Sequence, residues 1–430
     1  MNTAIKKAKL TSISRPFGGV LEAKFGNLSL PIFRWLAGYL SIAQAVAVIV
    51  GTVVGAGILG IPYVFAQSGF LTGLALLVLL GLANLVLMLF VGEIVSRTPT
   101  IYQIPGYVGL YLGPKAKLVQ TIVLLFAISG ALLAYMIAQG SILSALFGGA
   151  DWMWSLAFYA VFAYLIVGGI NTVKQVELWM VLGFILVILA LFGLTQGQID
   201  AVNLLMFDWR KMLLPYGVIL FACYGLTSIP QAYEILNKNS YKKYFKQTII
   251  YAGLIPLLLY ALFALLVVGV MGDSTTSVAT VGLGNALGPN VWAIGNIFAF
   301  LAMSTSFLAL GWAAQQIYHR DLSLPNRLAF FVALVVPLLV WLVGVRDFIG
   351  VLGIIGAVGA GTTGILIVFT LWKARQKSQQ KPVYSLPDWV VKYIGLVLVV
   401  LLIIGATSPF WHQLKEFPHL LLAYWTHWLA

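Results

Sequence analysis

The segment Gly51–Pro62 contains four glycines and a proline inside an apolar run that is long enough to cross a lipid bilayer. This composition predicts a helix that is interrupted near the middle of the membrane. An unpaired backbone N–H or C=O group costs several kcal/mol in hydrocarbon, so an interruption is tolerated only where these groups face protein, water or a bound ligand. The predicted break is therefore a candidate binding site.

A second apolar run carries the same spacing. The pattern Gly-x-x-x-Ile-Pro occurs at 57–62 and again at 225–230, and the order of spans given below makes the two helices antiparallel. At a break, the half-helix that follows presents free N–H groups and a positive dipole end, whereas the half that precedes it presents free carbonyls. Two antiparallel breaks therefore suit a zwitterion, because they offer one end to an anion and one to a cation.

The two charges of the zwitterion are assigned to backbone groups of the two breaks. Helix N-termini bind anions, so a carboxylate is predicted to bind the N–H groups at Gly55, Ala56 and Gly57. An ammonium is predicted to donate to the carbonyls of Phe221, Ala222 and Tyr224. The alternative is that the glycines only allow helices to pack closely, as small residues four apart do in membranes.

The elements that position the breaks are membrane spans. The chain has 430 residues, of which 61% are hydrophobic and 9% charged, which is too apolar for a soluble domain. Its apolar runs predict an all-α polytopic membrane protein with eleven transmembrane helices, the first and sixth of them broken. The predicted spans are 41–64, 69–95, 118–147, 152–170, 176–195, 213–236, 248–271, 290–317, 328–344, 348–372 and 389–408.

The basic residues predict the orientation. If the N-terminus is cytoplasmic, cytoplasmic segments hold every lysine and arginine except Arg210, Lys211, Arg346 and Lys415. The arm 1–40 is then cytoplasmic or interfacial, and the tail 409–430 is an extracytoplasmic interfacial segment. We expect a multi-pass protein of the inner or plasma membrane without a cleaved signal peptide. The net charge of +13 is explained by these loops and does not indicate nucleic acid binding.

Other classes of function are not indicated. A single cysteine precludes an internal disulfide and a thiolate cluster, and the four histidines lack metal-ligand spacing. The spans contain no paired carboxylates and no nucleophile with a base, so an enzyme is not expected. They also lack the rings of polar or charged groups that line a channel. No cofactor is expected, and the sequence carries no signal for an oligomeric state.

Three segments resemble the amino acid/auxin permease group of the APC superfamily, especially the bacterial aromatic and hydroxy amino acid permeases. They are Gly51–Pro62 with the following Gly-Phe pair, Tyr224–Pro230 and Met303–Gly311. The resemblance implies a leucine-transporter-like fold with two inverted five-helix repeats, 41–195 and 213–372, and an extra helix, 389–408. It also implies cation-coupled uptake of an amino acid by alternating access, with spans 1 and 6 binding the substrate backbone and spans 3, 8 and 10 shaping the side-chain pocket.

Few polar side chains lie within the spans. The candidates for the side-chain pocket are Ser129, Tyr135, Tyr224, Thr227 and Ser306, and a pocket without charged groups suits an apolar or aromatic substrate. By the resemblance, a sodium ion is expected to bind oxygen atoms of Gly51, Val54, Ala302, Thr305 and Ser306. Alternatively, the hydroxyls in this set bond back to the preceding helical turn.

Glu93 is the candidate carboxylate for proton coupling. It also lies one helical turn from Arg97, and this spacing predicts an ion pair instead. Likeness to proton-coupled permeases favours a proton over sodium as the coupling ion. The leading prediction is an amino acid symporter, and the alternative from another class is a transporter-like amino acid sensor that does not transport.

Overall fold

The computed structural model describes residues 31–167 and 196–407, except Asn239 and Gln379, together with 183, 186–190 and 192–193. Most of the predicted arm 1–40, the whole tail 409–430 and most of the predicted span 176–195 lie outside these residues. Within the described residues, every regular element is a helix.

The helices are numbered here in chain order. They are α1 (Pro31–Val53), α2 (Gly57–Ser68), α3 (Phe70–Arg97), α4 (Ile104–Leu112), α5 (Pro114–Phe147), α6 (Asp151–Val167), α7 (Leu214–Ala222), α8 (Ile229–Lys238), α9 (Phe245–Met271), α10 (Ala279–Leu287), α11 (Pro289–Gln316), α12 (Asn326–Leu342), α13 (Phe348–Ile354), α14 (Gly361–Lys377) and α15 (Gly395–Ala406). A π-helical turn, Ile355–Ala360, joins α13 to α14.

Several helices are long and apolar enough to cross a membrane. In the described part of the chain these are Phe70–Arg97, Pro114–Phe147, Lys242–Ser274, Pro289–His319 and Phe348–Lys377, with α1 and α2 as a sixth span if the bent pair is counted as one. Shorter apolar helices occur at Asp151–Ile166, Asn326–Leu342 and Val390–Ala406. The protein is therefore an all-helical, multi-pass membrane protein, and the total of eleven spans stays a prediction.

The helix is interrupted in both segments that carry the Gly-x-x-x-Ile-Pro pattern. α1 ends at Val53 and α2 begins at Gly57, with 53° between the two helices. α7 ends at Ala222, a 3₁₀ turn covers Leu226–Ser228, and α8 begins at Ile229. Proline follows at the second residue of α8, where its missing N–H removes no helical hydrogen bond. We call residues 54–56 the first break and residues 223–228 the second break.

Two short helices lie in segments that the span prediction left between spans. α4 and α10 have nine residues each, too few to be detected as apolar runs of membrane length. Each ends at a glycine with positive φ, 97° at Gly113 and 94° at Gly288, and a proline then begins the next helix. Glycine adopts this conformation without steric cost, which permits the sharp change of direction.

Close packing of α2, α7 and α13 depends on glycine. A Cβ atom at Gly60 of α2 would lie 3.0 Å from the side chain of Ile349 and 3.3 Å from that of Leu352, both in α13. A Cβ atom at Gly217 of α7 would overlap the backbone of Gly353, also in α13. At Gly60 and Gly217, close packing between helices therefore explains why the residue is glycine.

Candidate functional site

A cavity of about 820 Å³ lies between the two breaks. From the breaks and the helix ends beside them, it is lined by Thr52, Val53, Gly55, Phe221, Tyr224, Thr227 and Ser228. From other helices, it is lined by Ile128, Ala131, Tyr135, Leu310, Ile355 and Ala360, among others. This volume falls within the range of small-molecule binding sites. The third, eighth and tenth predicted spans therefore meet the two breaks around one space.

The structure divides the predicted substrate-binding residues into two groups. Those that line the cavity are Gly55, Tyr135, Phe221, Tyr224 and Thr227. Those that are not part of its lining are Ala56, Gly57, Ser129, Ala222 and Ser306. The second group contains only glycine, alanine and serine.

The first break brings Gly55 against the third and eighth predicted spans. A Cβ atom at Gly55 would lie 3.2 Å from the hydroxyl oxygen of Tyr135 and 3.8 Å from that of Ser306. The Tyr135 hydroxyl is directed at the Ser306 side chain and at the backbone of Ala56. A glycine, a phenol and a serine hydroxyl therefore meet at the break, and a carboxylate placed there would find hydrogen-bond donors.

Gly57 has a packing contact in place of the predicted ligand contact. A Cβ atom at Gly57 would lie 2.5 Å from both Cα and Cβ of Ala222. The start of α2 and the end of α7 are therefore in van der Waals contact, which no larger residue at 57 would allow. In this structure, Gly57 and Ala222 hold the breaks together and lie outside the cavity.

Carbonyls near the second break already have partners within the protein. The Phe221 carbonyl accepts from the N–H of Tyr224 at 3.1 Å. The Cys223 carbonyl accepts from the side-chain amide of Asn84, a buried residue of α3. The carbonyls of Phe221 and Ala222 therefore each accept a protein hydrogen bond already, and their predicted role as ammonium ligands stays a prediction.

The partner of Ala222 is Tyr260, which the sequence analysis did not single out. Its hydroxyl lies 2.8 Å from the Val53 carbonyl and 2.9 Å from the Ala222 carbonyl, so one side chain of α9 contacts both broken helices. The side chain is fully buried. The sequence shows only that this tyrosine lies within an apolar span, and its hydrogen-bond partners are evident only from the fold.

The candidate sodium ligands are only partly described. The Ser306 hydroxyl donates to the Ala302 carbonyl at 3.1 Å, which is the back-bonding that the sequence analysis gave as the alternative. The N–H of Val54 donates to the Val50 carbonyl at 2.8 Å, and Gly51 lies in the last turn of α1. The side chain of Thr305 lies outside the described residues.

Glu93 is fully buried and neutralised by two arginines. Its carboxylate lies 2.8 Å from the guanidinium of Arg97, the partner expected from the spacing, and 2.8 Å from that of Arg375 in α14. It also accepts from the backbone N–H of Leu386 at 2.9 Å. Glu93 is not part of the cavity lining. This geometry favours a structural ion pair over a coupling carboxylate.

The cavity extends well beyond the breaks. Its far end is lined by residues that sequence reasoning missed, namely Tyr102, Gln103, Lys117, Gln231, Trp312 and Gln316. They come from the segment before α4, from the first turn of α5, from α8 and from the last turns of α11. Several of them lie outside the apolar spans or at the ends of spans. Hydropathy does not indicate that residues at such positions line one cavity.

Interrupted membrane helices around a central cavity are typical of secondary transporters, and the fold resembles that of a solved structure. The chain is similar to MhsT, whose crystal structure was solved in complex with L-phenylalanine, with a TM-score of 0.59 and 14% identity. The similarity covers 84% of this chain and 98% of that one. The fold is therefore leucine-transporter-like.

The chain belongs to the tryptophan/tyrosine permease family, whose sequence profile matches residues 39–408. It is 27% identical to tyrosine-specific transport system 1 of Haemophilus influenzae over 383 residues, which covers 83% of this chain and 92% of that protein. It is 23% identical to glutamine transporter 2 of Aliivibrio fischeri over 332 residues, with coverage of 74% and 83%.

These relationships settle the class of protein. The chain is an amino acid transporter and not an enzyme. The resemblance to aromatic amino acid permeases is confirmed by the family match and the fold. The sensor alternative is not supported, because both relatives are described as transport proteins.

Proposed function

We propose that the protein is a cation-coupled symporter that takes up aromatic or other large apolar amino acids by alternating access. The observation that carries this proposal is the single cavity, about 820 Å³ in volume, that both breaks line together with Tyr135. A site of this kind provides backbone and hydroxyl groups for the charged part of an amino acid and aromatic surface for its side chain.

The substrate class is proposed from the cavity lining. Near the breaks the cavity is bounded by the aromatic residues Tyr135, Phe221 and Tyr224 and by aliphatic residues such as Ile128 and Leu310. Lys117 is the only charged residue in the described lining, and it lies at the far end. A charged amino acid side chain would have no counter-charge beside the breaks, so it would bind poorly. An aromatic side chain would bury apolar surface there.

The roles of individual residues follow from their positions in this cavity. We assign the substrate carboxylate to the Tyr135 hydroxyl beside Gly55, because the N–H of Gly55 itself donates to the Val53 carbonyl at 3.1 Å. Of the three carbonyls predicted to receive the ammonium, we retain that of Tyr224, since those of Phe221 and Ala222 bond within the protein. Phe221 and Thr227 then contact the substrate side chain.

We further propose that the structure is the inward-facing state. The cavity extends from the breaks to Tyr102, which precedes α4, and to Lys117, in the first turn of α5; both lie in the loop between the second and third predicted spans, which the charge pattern predicts to be cytoplasmic. On the opposite side, Gly57 packs against Ala222 and Gly60 packs against α13. Alternating access requires these contacts to open and the far end of the cavity to close.

A proton is the proposed coupling ion. The Val53 and Ala222 carbonyls, which could bind a cation between the breaks, are both occupied by the Tyr260 hydroxyl. At the other candidate cation position, Ser306 is hydrogen-bonded directly to Ala302. Glu93 is excluded from the proposed proton path because it is paired with Arg97 and Arg375.

Uptake into proteoliposomes tests the proposal. Purified protein would be reconstituted and offered labelled tyrosine, tryptophan, phenylalanine, leucine, glutamine and lysine, first with a pH gradient and then with a sodium gradient at constant pH. We expect concentrative uptake of the aromatic amino acids that is driven by the pH gradient and abolished by a protonophore. Uptake that responds only to sodium would contradict the proton assignment, and preferential uptake of glutamine or lysine would contradict the substrate class.

A further inference from the structure

Tyr260 occupies an unusual position, because one hydroxyl serves two backbone carbonyls from two different broken helices. The Val53 carbonyl ends α1 and the Ala222 carbonyl ends α7, and both point at the same phenolic oxygen, from 2.8 and 2.9 Å. A tyrosine hydroxyl has a single proton to donate. The two carbonyls therefore share the proton of one phenol, and the Val53 carbonyl also accepts from the N–H of Gly55 at 3.1 Å.

Two carbonyls that converge from the ends of broken helices form an environment suited to a cation. In transporters with discontinuous helices, such unwound carbonyls coordinate the coupling ion, and hard cations are bound by oxygen ligands of this type. Within the described residues, the only fully buried carboxylate is Glu93, whose charge is already matched by arginines. A metal ion between the breaks would therefore lack a protein counter-charge, whereas a neutral phenol needs none.

We propose that the Tyr260 hydroxyl permanently takes the place of a cation between the two breaks. It is a positioning residue: its proton supplies the positive end that an ion would otherwise supply, and it fixes the end of α1 relative to the end of α7. This inference rests on the proposed transport site at the breaks. Its consequence is that this chain holds its two broken helices in register without binding a metal ion at that point.

Asn84 supports this interpretation independently. Its side-chain amide donates to the carbonyl of Cys223, the next residue along the second break, and Asn84 is buried in α3. Side chains from two unbroken helices, α3 and α9, thus supply fixed donors to successive carbonyls of one break. The carbonyls of Ala222 and Cys223, which have left the helical hydrogen-bond pattern, thus each receive a hydrogen bond from a neutral side chain. This arrangement indicates that protein groups, and not an ion, satisfy these carbonyls.

Two substitutions at 260 separate the loss of the hydroxyl from the loss of the ring. Tyr260→Phe removes the donor but fills the space, so it should impair transport and give no response to cations. Tyr260→Ser removes the ring and leaves room for a hydrated ion beside the two carbonyls, so it should become sensitive to sodium or lithium. Tyr159→Phe is the matched control, because Tyr159 is a buried tyrosine that donates to the Leu334 carbonyl and is not part of the cavity lining.

Two measurements would be made on wild type and all three variants. The first is the melting temperature of the purified protein in sodium, lithium or choline chloride at equal ionic strength and pH, which reports cation binding without any substrate. The second is the rate of L-tyrosine and L-phenylalanine uptake in the same salts. We expect Tyr260→Phe to lower uptake roughly tenfold in every salt, a loss that corresponds to ~1.4 kcal/mol. Tyr260→Ser should show similar loss in choline and recover in sodium or lithium, with a higher melting temperature in those salts.

The outcomes separate this inference from the proposed function. If Tyr260→Phe transports like wild type, or if Tyr260→Ser responds to cations no more than wild type in both measurements, the hydroxyl does not stand in for an ion. Equal losses in Tyr260→Phe and Tyr159→Phe would also overturn the inference, because any buried tyrosine bond would then suffice. If wild type moves neither amino acid, the proposed function fails, and the melting temperatures still decide the role of Tyr260.

Discussion

Gly55 and Gly57 are two residues apart in the first break, yet the structure predicts opposite consequences when each is replaced by alanine. At Gly57 the new methyl carbon would lie 2.5 Å from two carbon atoms of Ala222, whereas carbon atoms in van der Waals contact are about 3.5 to 4.0 Å apart. The breaks would have to separate by about 1 Å, and overpacking of this kind costs typically 1 to 3 kcal/mol.

At Gly55 the new methyl group would point into the cavity. Its carbon would lie 3.2 Å from the Tyr135 hydroxyl and 3.8 Å from that of Ser306, so a shift of a few tenths of an ångström relieves the contact. The backbone at Gly55 is outside the left-handed region, so alanine is sterically allowed there. We expect stability close to that of wild type, within about 0.5 kcal/mol, and a dissociation constant for L-tyrosine raised about tenfold, or ~1.4 kcal/mol, because the methyl group occupies the proposed carboxylate position.

The assay pairs thermal melting with equilibrium binding of labelled L-tyrosine to the purified variants. Gly57→Ala should lower the melting temperature by several degrees, and the larger Gly57→Leu should prevent folding. Gly55→Ala should melt like wild type and bind weakly. Normal melting of Gly57→Ala, or unchanged binding by Gly55→Ala, would refute the assignment of the first residue to packing and the second to the site.

Further predictions concern residues outside the cavity. Glu93→Gln should destabilise the protein by ~3 kcal/mol, since it removes the carboxylate from the half-buried guanidinium of Arg97 and leaves Arg375 paired with the exposed Asp388. Glu234→Gln, at an exposed ion pair, should cost under about 1 kcal/mol, and equal melting of the two would contradict this contrast. Asn84→Leu should cost about 1 to 3 kcal/mol by orphaning the Cys223 carbonyl, measured as a lower denaturation midpoint. Burial raises the pKa of Tyr107 from 10.0 to about 12, so between these values only the unfolded state ionises and stability falls as pH rises. Tyr107→Phe should make that alkaline decline in melting temperature shallower, and an identical decline would disprove it.

The positions of the two interruptions could be predicted from the sequence because glycine and proline act locally. Gly51–Pro62 and 225–230 carry the signals that end one helix and start another, and the structure interrupts the helix at Val53–Gly57 and at Ala222–Ile229. The ion pair between Glu93 and Arg97 could also be predicted from the sequence, since a separation of four residues places both on one face of a helix.

Contacts between distant segments could not be predicted in this way. Nothing in the sequence brings Tyr260 to Val53, 207 residues away, or Arg375 to Glu93, 282 residues away. The contact of Gly57 with Ala222 could not be predicted for the same reason, because a glycine that faces a ligand and a glycine that faces another helix have the same local pattern. Single-sequence periodicity describes the faces of one helix and does not specify which residue of another helix meets them.

The charged cluster around Glu93 also constrains how the molecule moves. Glu93 belongs to α3, Arg375 belongs to α14, and Leu386 lies in the segment that leads to α15, so one carboxylate joins three parts of the chain that are far apart in sequence. Any motion that separated the ends of α3 and α14 would expose the pair or leave a buried charge without its partner, at a cost of several kcal/mol. We therefore expect these two helix ends to move together as one unit if the protein alternates between states, and we expect the hinge to lie between that unit and the broken helices.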